Sequence, residues 1–196
     1  MVLWIYFVQK ENIYKNMILI ADGGSTKVDW CVSSQGTQLQ RITTHGLNPY
    51  FLSEDEIGEV IRTSLLPQLQ THTFDELYFY GAGCLPEKIP MMQSALSKSL
   101  EVKTVEVDSD MLAAARGMSG KNPGIICIMG TGSNSCYYDG EKIVNNVSPL
   151  GFILGDEGSG AVLGKLMVGD LLKNQLPAGL KEKFLQEFDL TPGMII

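Results

Sequence analysis

The sequence has few of the residues that build metal or disulfide sites. It contains two histidines, His45 and His72, and four cysteines, and no two cysteines form a CxxC pair. This scarcity argues against a structural zinc site, and a chain of 196 residues can build a core without disulfides. We therefore expect reduced thiols, as in a cytoplasmic protein, at Cys31, Cys84, Cys127 and Cys136.

Positive charge and long apolar runs are scarce as well. Acidic residues outnumber basic ones by 22 to 15, the formal charge is −7, and Lys and Arg form no block. This balance argues against nucleic acid or an anionic membrane as a partner. The apolar stretch Met1–Val8 is far shorter than the ~20 residues of a membrane span. Because a second apolar run starts at Met17, we expect residues 1–16 to be an N-terminal extension.

The rest of the composition is that of a globular protein with one large or two small domains. Apolar residues make up 44% of the chain, which excludes wholesale disorder. A buried run over 17–21, an Asp-Gly-rich loop and an alternating run over 27–32 predict a hairpin. A further strand over 37–44 would complete an antiparallel meander.

Helix signals follow the meander. Ser53 and Glu56 form a capping box ahead of an amphipathic run, and Pro67 is expected to end that helix. Pro86 is expected to open a second helix, and a third begins near Asp110, after an alternating run over 102–107.

The second half of the chain repeats the first pattern. After a Gly-rich linker over 117–124, a buried strand over 125–129 leads into a Gly/Ser/Thr loop and a second strand over 136–138. Helices are predicted from Gly160 to Asn174 and from Leu180 to Phe188. The chain ends shortly after Thr191-Pro192, a helix-start pair, and we therefore expect it to be truncated.

The first loop has the chemistry of a phosphate site. Its small residues leave successive backbone N–H groups unscreened, two hydroxyls add donors, and the leading aspartate could hold Mg²⁺ through water. The alternative is a plain hairpin turn, in which Asp and Gly supply the required φ angles. The residues concerned are Asp22, Gly23, Gly24, Ser25 and Thr26.

The second loop offers the same donors after a second buried strand, in Gly130, Thr131, Gly132, Ser133 and Asn134. A Rossmann fingerprint fits poorly, because Ser135 stands where the third glycine belongs and the next residues favour a strand. A P-loop also fails, since Leu166 stands where Ser or Thr is needed after Gly-Lys.

Three other polar residues each have a simple structural explanation. Asp110 lies where a strand gives way to a helix, which suits an N-cap or a general base aimed into a cleft. Asp156 lies between glycines, as expected for a solvent-exposed loop. Asn48 precedes Pro49, which is typical of a turn.

Taken together, the motifs resemble the actin-like (ribonuclease H-like) ATPase superfamily, and within it the N-acetylglucosamine kinase branch of the BadF/BadG/BcrA/BcrD ATPase family. The segments at 22–27, 130–134 and 155–160 match its two phosphate motifs and a segment typical of the kinase branch. The resemblance implies an α/β fold of duplicated mixed-sheet domains flanked by helices. The first would span residues 17–117 and the second, incomplete, residues 118–196.

The resemblance also implies an ATP-dependent, Mg²⁺-requiring kinase that phosphorylates the 6-hydroxyl of N-acetylglucosamine. Asp110 matches the base that acts on the sugar hydroxyl, and Asn48 and Asp156 match residues that hold the sugar. Both loops, together with Lys27, match the ATP-binding segments, with Asp22 near the metal. Loops from two domains would then supply phosphate donors, and domain closure would expel water.

Two other functions stay open. The same family holds ATP-driven activases with a [4Fe–4S] cluster, although Cys127 and Cys136 fall in predicted strands rather than in glycine-rich segments. Alternatively, the chain is a catalytically impaired fragment that binds sugar or nucleotide. A homodimer is left open as well, since the sequence says nothing of the oligomeric state.

Overall fold

The structure is a computed structural model that describes residues 17–147 and 149–195, apart from the side chain of Pro192. The predicted extension over 1–16 lies outside these residues. The chain divides into two compact units. Unit 1 comprises Met1–Ile126 and Cys136–Asn145, and unit 2 comprises Cys127–Ser135 and Asn146–Ile196. The domain boundaries expected from the sequence stay a prediction.

The main sheet of unit 1 has five strands in the order β3-β2-β1-β4-β5. The first three pair antiparallel, which confirms the predicted meander, and β4 and β5 pair parallel on the other side of β1. The strands are β1 (Met17–Gly23), β2 (Lys27–Ser34), β3 (Thr37–His45), β4 (Thr73–Gly81) and β5 (Glu101–Ser109).

Three helices accompany this sheet: α1 (Glu54–Val60), α2 (Ile89–Ser99) and α3 (Asp110–Ser119). The predicted Ser53–Glu56 capping box is present. Beyond α1 the chain continues as a π-helical turn, Ile61–Leu65, and ends in a 3₁₀ turn, Leu66–Gln68, at the expected Pro67. The prediction for Pro86 was wrong. The carbonyl of Leu85 accepts the N–H of Lys88 at 2.8 Å, which closes a turn around Pro86, and α2 begins only at Ile89.

The core of unit 1 lies between the sheet and its helices. Trp30 and Phe79 pack with ring centroids 5.9 Å apart, and Ile57, Ile61 and Met92 are fully buried. Gly23 pairs with Gly81 on β4, and Gly81 pairs with Ser109 on β5. The carboxyl ends of the parallel strands β1, β4 and β5 therefore meet at one edge of the sheet, where α/β proteins commonly bind ligands.

A second sheet has three strands in the order β6-β7-β8. β6 (Gly124–Met129) and β7 (Ser133–Tyr138) confirm the predicted strand–loop–strand repeat, but β7 begins at Ser133, inside the predicted loop. The third strand, β8, is Ile143–Val147. Four helices follow: α4 (Gly151–Leu154), α5 (Gly160–Leu172), α6 (Leu180–Glu187) and α7 (Pro192–Ile195). None of the helices in the described part of the chain has the length and apolar character needed to cross a membrane.

Candidate active site

The first phosphate-type loop lies at the carboxyl edge of the unit 1 sheet. The Gly24 N–H donates to the Lys27 carbonyl at 2.8 Å, and the Gly23 carbonyl accepts the Ala82 N–H at 2.7 Å. A Cβ on Gly23 would stand 2.7 Å from the Phe79 ring, so a residue with a side chain would displace the core beneath the loop. The loop is thus held at its base, while Ser25 and Thr26 are exposed.

Asn48 is tied to this loop. Its amide nitrogen donates to the Ser25 hydroxyl at 2.8 Å, and its amide oxygen accepts the Tyr50 N–H at 2.9 Å. The residue is buried. Asn48 therefore forms the turn that its sequence context suggests and also contacts the predicted phosphate loop, at the edge where Asp22 lies.

Lys27 points to a neighbouring carboxylate. Its Nζ donates to Asp29 at 2.8 Å, and the Thr43 hydroxyl donates to the other oxygen of Asp29 at 2.7 Å. These hydrogen bonds hold the pKa of Asp29 below its usual range. Asp22 faces Asp29 across the hairpin. Loss of hydration raises the pKa of Asp22, and the charge of Asp29 adds to the effect.

Asp110 is the first residue of α3, but it does not cap the helix. The cap is Ser109, whose hydroxyl accepts the Leu112 N–H at 3.2 Å. One oxygen of Asp110 accepts the Met111 N–H at 2.8 Å. Desolvation raises the pKa of this half-buried carboxyl, and the negative charge of Asp22 adds to it. Asp110 and Asp22 are thus near enough to interact electrostatically.

The buried thiol of Cys84 lies close to the same acidic side chains. Burial raises the pKa of Cys84 to about 12, and the charges of Asp110 and Asp108 contribute to the rise. Within the described residues, no group of three or more His, Cys, Asp or Glu side chains is arranged to hold a metal ion.

The second phosphate-type loop lies in unit 2, where the start of α5 holds it. The Gly160 N–H donates to the Gly130 carbonyl at 2.8 Å, and the Ala161 N–H donates to the Thr131 carbonyl at 3.4 Å. α5 is capped by Ser159, whose hydroxyl accepts the Val162 N–H. The first donors of this helix are therefore used within the protein to position the loop.

Asp156 also contacts this loop. Its carboxylate accepts the Ser133 N–H at 3.3 Å, and a Cβ on Gly132 would stand 3.1 Å from it. Asp156 has φ +58°, in the left-handed region. The structure thus brings together two motifs that lie 21 or more positions apart in the sequence, the loop over 130–134 and the segment over 155–160.

Comparisons with known proteins identify relatives of this chain. A crystal structure of a putative N-acetylglucosamine kinase from Porphyromonas gingivalis is 53% identical and superposes with a TM-score of 0.87, over 92% of this chain and 65% of that one. A curated N-acetyl-D-glucosamine kinase from Dictyostelium discoideum is 28% identical, over 88% of this chain and 59% of its own length. These two relatives support an N-acetylglucosamine kinase-like, actin-like ATPase family for this chain.

More distant proteins have a similar fold. A putative N-acetylglucosamine kinase from Chromobacterium violaceum, 19% identical, superposes with a TM-score of 0.64 over 88% of this chain and 64% of its own. These likenesses confirm the actin-like ATPase fold expected from the repeated strand–loop–strand units. No family model matches the chain. The chain spans less than two thirds of the length of each of these three relatives.

Some residues that lie at this candidate site were not predicted from the sequence. A Cβ on Gly46 would stand 2.2 Å from the Ser25 carbonyl oxygen, and one on Gly83 would stand 2.4 Å from the Asn48 amide oxygen. The Asn146 amide donates to the Asn134 side-chain oxygen at 3.1 Å. The glycines are visible in the sequence, but nothing local shows which segments they approach.

Proposed function

We propose that this chain is part of a kinase that transfers the γ-phosphoryl group of ATP to the 6-hydroxyl of N-acetylglucosamine. The names of the Porphyromonas gingivalis and Dictyostelium discoideum relatives support this substrate.

The placement of Asp110 is the observation that carries the proposal. Because Ser109 caps α3, the carboxylate of Asp110 is not needed to start the helix. Desolvation raises its pKa, which makes the carboxylate a better proton acceptor for a sugar hydroxyl. Proton removal by Asp110 would leave the hydroxyl oxygen ready to attack the γ-phosphorus, and ADP would leave.

Asn48 and Asp156 are proposed to hold the sugar. One hydrogen of the Asn48 amide is used on Ser25, and the second would be available to a sugar oxygen. Asp156 accepts the Ser133 N–H, and a carboxylate has further lone pairs for sugar hydroxyls. The backbone carbonyls of Asn48 and Asp156 each accept a nearby N–H, from Phe51 and Ser159 respectively. A fixed backbone favours accurate positioning of a substrate.

The ATP phosphates are proposed to bind the loops over 22–27 and 130–134, with Mg²⁺ near Asp22. A single carboxylate fits Mg²⁺, which keeps several waters and takes its other ligands from phosphates. The raised pKa values of Asp22 and Asp110 also fit, because a nearby cation would relieve the repulsion between these carboxylates. When bound, Mg²⁺ would neutralise phosphate charge.

The test is an ATP-dependent phosphorylation assay with N-acetylglucosamine. It would use this chain, and this chain joined to the part of the Porphyromonas gingivalis relative that it does not match. We expect N-acetylglucosamine 6-phosphate at least from the longer form. Phosphorylation of glucose or mannose but not of N-acetylglucosamine would overturn the substrate. No sugar-dependent ADP release from either form would overturn the kinase and favour a fragment that only binds.

A further inference from the structure

Tyr50 joins two loops at the edge where Asn48 lies. Its hydroxyl donates to the Glu87 carboxylate at 2.5 Å, and the Lys88 ammonium lies over its ring, 5.0 Å from the centroid. Its backbone N–H is the donor to the amide oxygen of Asn48. One residue therefore connects the loop that carries Asn48 with the loop that follows β4.

The same two loops also meet at the Asn48 amide itself. Gly83 has φ +78° and approaches so closely that a Cβ would stand 2.4 Å from the amide oxygen. The Leu85 N–H donates to the Gly83 carbonyl at 2.9 Å, and Leu85 in turn accepts the N–H of Lys88 at 2.8 Å. A short, hydrogen-bonded segment thus runs from Gly83 to the residues that Tyr50 contacts. Movement of that segment would shift Gly83, which packs against the Asn48 amide.

The contacts of Tyr50 are poor candidates for stabilising the fold. The side chain is 49% exposed, and Glu87 is exposed as well. Polar and charged contacts in such surroundings add little to stability, because water competes for both partners. They do, however, join the two loops that meet at Asn48.

We propose that Tyr50 is a positioning residue, which holds the Asn48 amide in place for the sugar by fixing its loop against Glu87 and Lys88. The inference rests on the proposed function, since it assigns Tyr50 to the sugar contact of Asn48. A displacement of about 1 Å in a positioning group is enough to weaken a substrate interaction. Tyr50 lies in neither phosphate-type loop and reaches Ser25 through Asn48, so loss of its contacts should weaken sugar binding more than ATP binding.

The test compares three variants in the longer form described above. Tyr50→Phe removes the hydroxyl but keeps the ring under Lys88, Glu87→Ala removes the acceptor, and Glu87→Gln keeps an acceptor oxygen. Tyr50→Phe and Glu87→Ala should each raise the KM for N-acetylglucosamine about three- to tenfold, the effect of losing one hydrogen bond. The kcat should change less than twofold, and the KM for ATP should rise less than the KM for the sugar. Glu87→Gln should restore most of the sugar affinity.

Two further measurements make the outcome decisive. The Kd of the sugar, measured by calorimetry without ATP, should rise in parallel with the KM, and the double variant Tyr50→Phe/Glu87→Ala should be no worse than either single one. An unchanged sugar KM in both Tyr50→Phe and Glu87→Ala would overturn the role of Tyr50. So would an equal fall in kcat in Tyr50→Phe, Glu87→Ala and Glu87→Gln. Absence of sugar phosphorylation by the unmodified protein would instead overturn the proposed function.

Discussion

The amide nitrogen of Asn48 donates to the hydroxyl of Ser25 at 2.8 Å, and this bond joins two loops that are 23 positions apart in the sequence. Gly83 closes the other side of the same amide, and Gly46 packs against the backbone of Ser25. The predicted sugar residue and the predicted phosphate loop are therefore one connected assembly within unit 1.

The close approach of Gly83 to Asn48 gives a first prediction. Gly83→Ala should destabilise the protein more than Gly36→Ala, because the two glycines have similar φ angles, +78° and +73°, but nothing lies within 4 Å of a Cβ on Gly36. We expect about 1 kcal/mol for Gly36→Ala, the cost of left-handed backbone. Gly83→Ala should cost about 1–3 kcal/mol more through overpacking. Urea unfolding of the two variants measures the difference, and equal losses would contradict the close packing.

Capping of α3 gives a second prediction. Ser109→Ala should lower the free energy of unfolding by about 1 kcal/mol, the usual value of a lost N-cap. Asp110→Asn should not, because an Asn oxygen can still accept the Met111 N–H.

The pH dependence extends this contrast. The folded-state pKa of Asp110 is raised above its ordinary value of 3.8, so ionised Asp110 disfavours folding. The penalty is absent below the ordinary pKa and develops as the pH rises through the raised one. Asp110→Asn should therefore gain stability relative to the unmodified protein as the pH rises from the ordinary pKa of 3.8 through the raised pKa. A stability difference that is constant with pH would contradict the desolvation of Asp110.

Asp156 gives a third prediction. Asn tolerates left-handed backbone and keeps an acceptor for the Ser133 N–H, whereas Ala does neither. Asp156→Ala should therefore cost about 1–2 kcal/mol of stability, and Asp156→Asn should cost a few tenths. If the carboxylate of Asp156 also accepts hydrogen bonds from sugar hydroxyls, as proposed, Asp156→Asn replaces one acceptor oxygen by NH₂ and should raise the KM for the sugar with little loss of stability. Equal stability losses in the two variants would contradict the contact with Ser133.

The local features of this fold could be predicted from the sequence, and the long-range ones could not. The capping box at Ser53, the meander and the repeated strand–loop–strand units depend on neighbouring residues, whose spacing is visible in one sequence. The turn around Pro86 was missed because proline suits the first residue of a helix and of a turn about equally well.

The site shows the same division. The sequence placed Asp110 at a strand–helix junction, but Asp108, Ser109 and Asp110 can all cap a helix, and only the backbone geometry selects Ser109. The contact of Asp156 with Ser133 and the tie of Asn48 to Ser25 depend on tertiary packing. No periodicity or local motif encodes such contacts.

The most direct test of the central claim is the turnover of Asp110→Asn beside that of Asp108→Asn, in the form that phosphorylates N-acetylglucosamine. Asp108 is a matched control, since its carboxylate accepts the Ser109 N–H at 2.7 Å and an Asn oxygen can do the same. A positioned base contributes about 10²–10⁴ to rate. We therefore predict a fall in kcat of that size for Asp110→Asn, with less than a threefold change for Asp108→Asn. A normal kcat in the Asp110→Asn variant would contradict the role of Asp110 as the base.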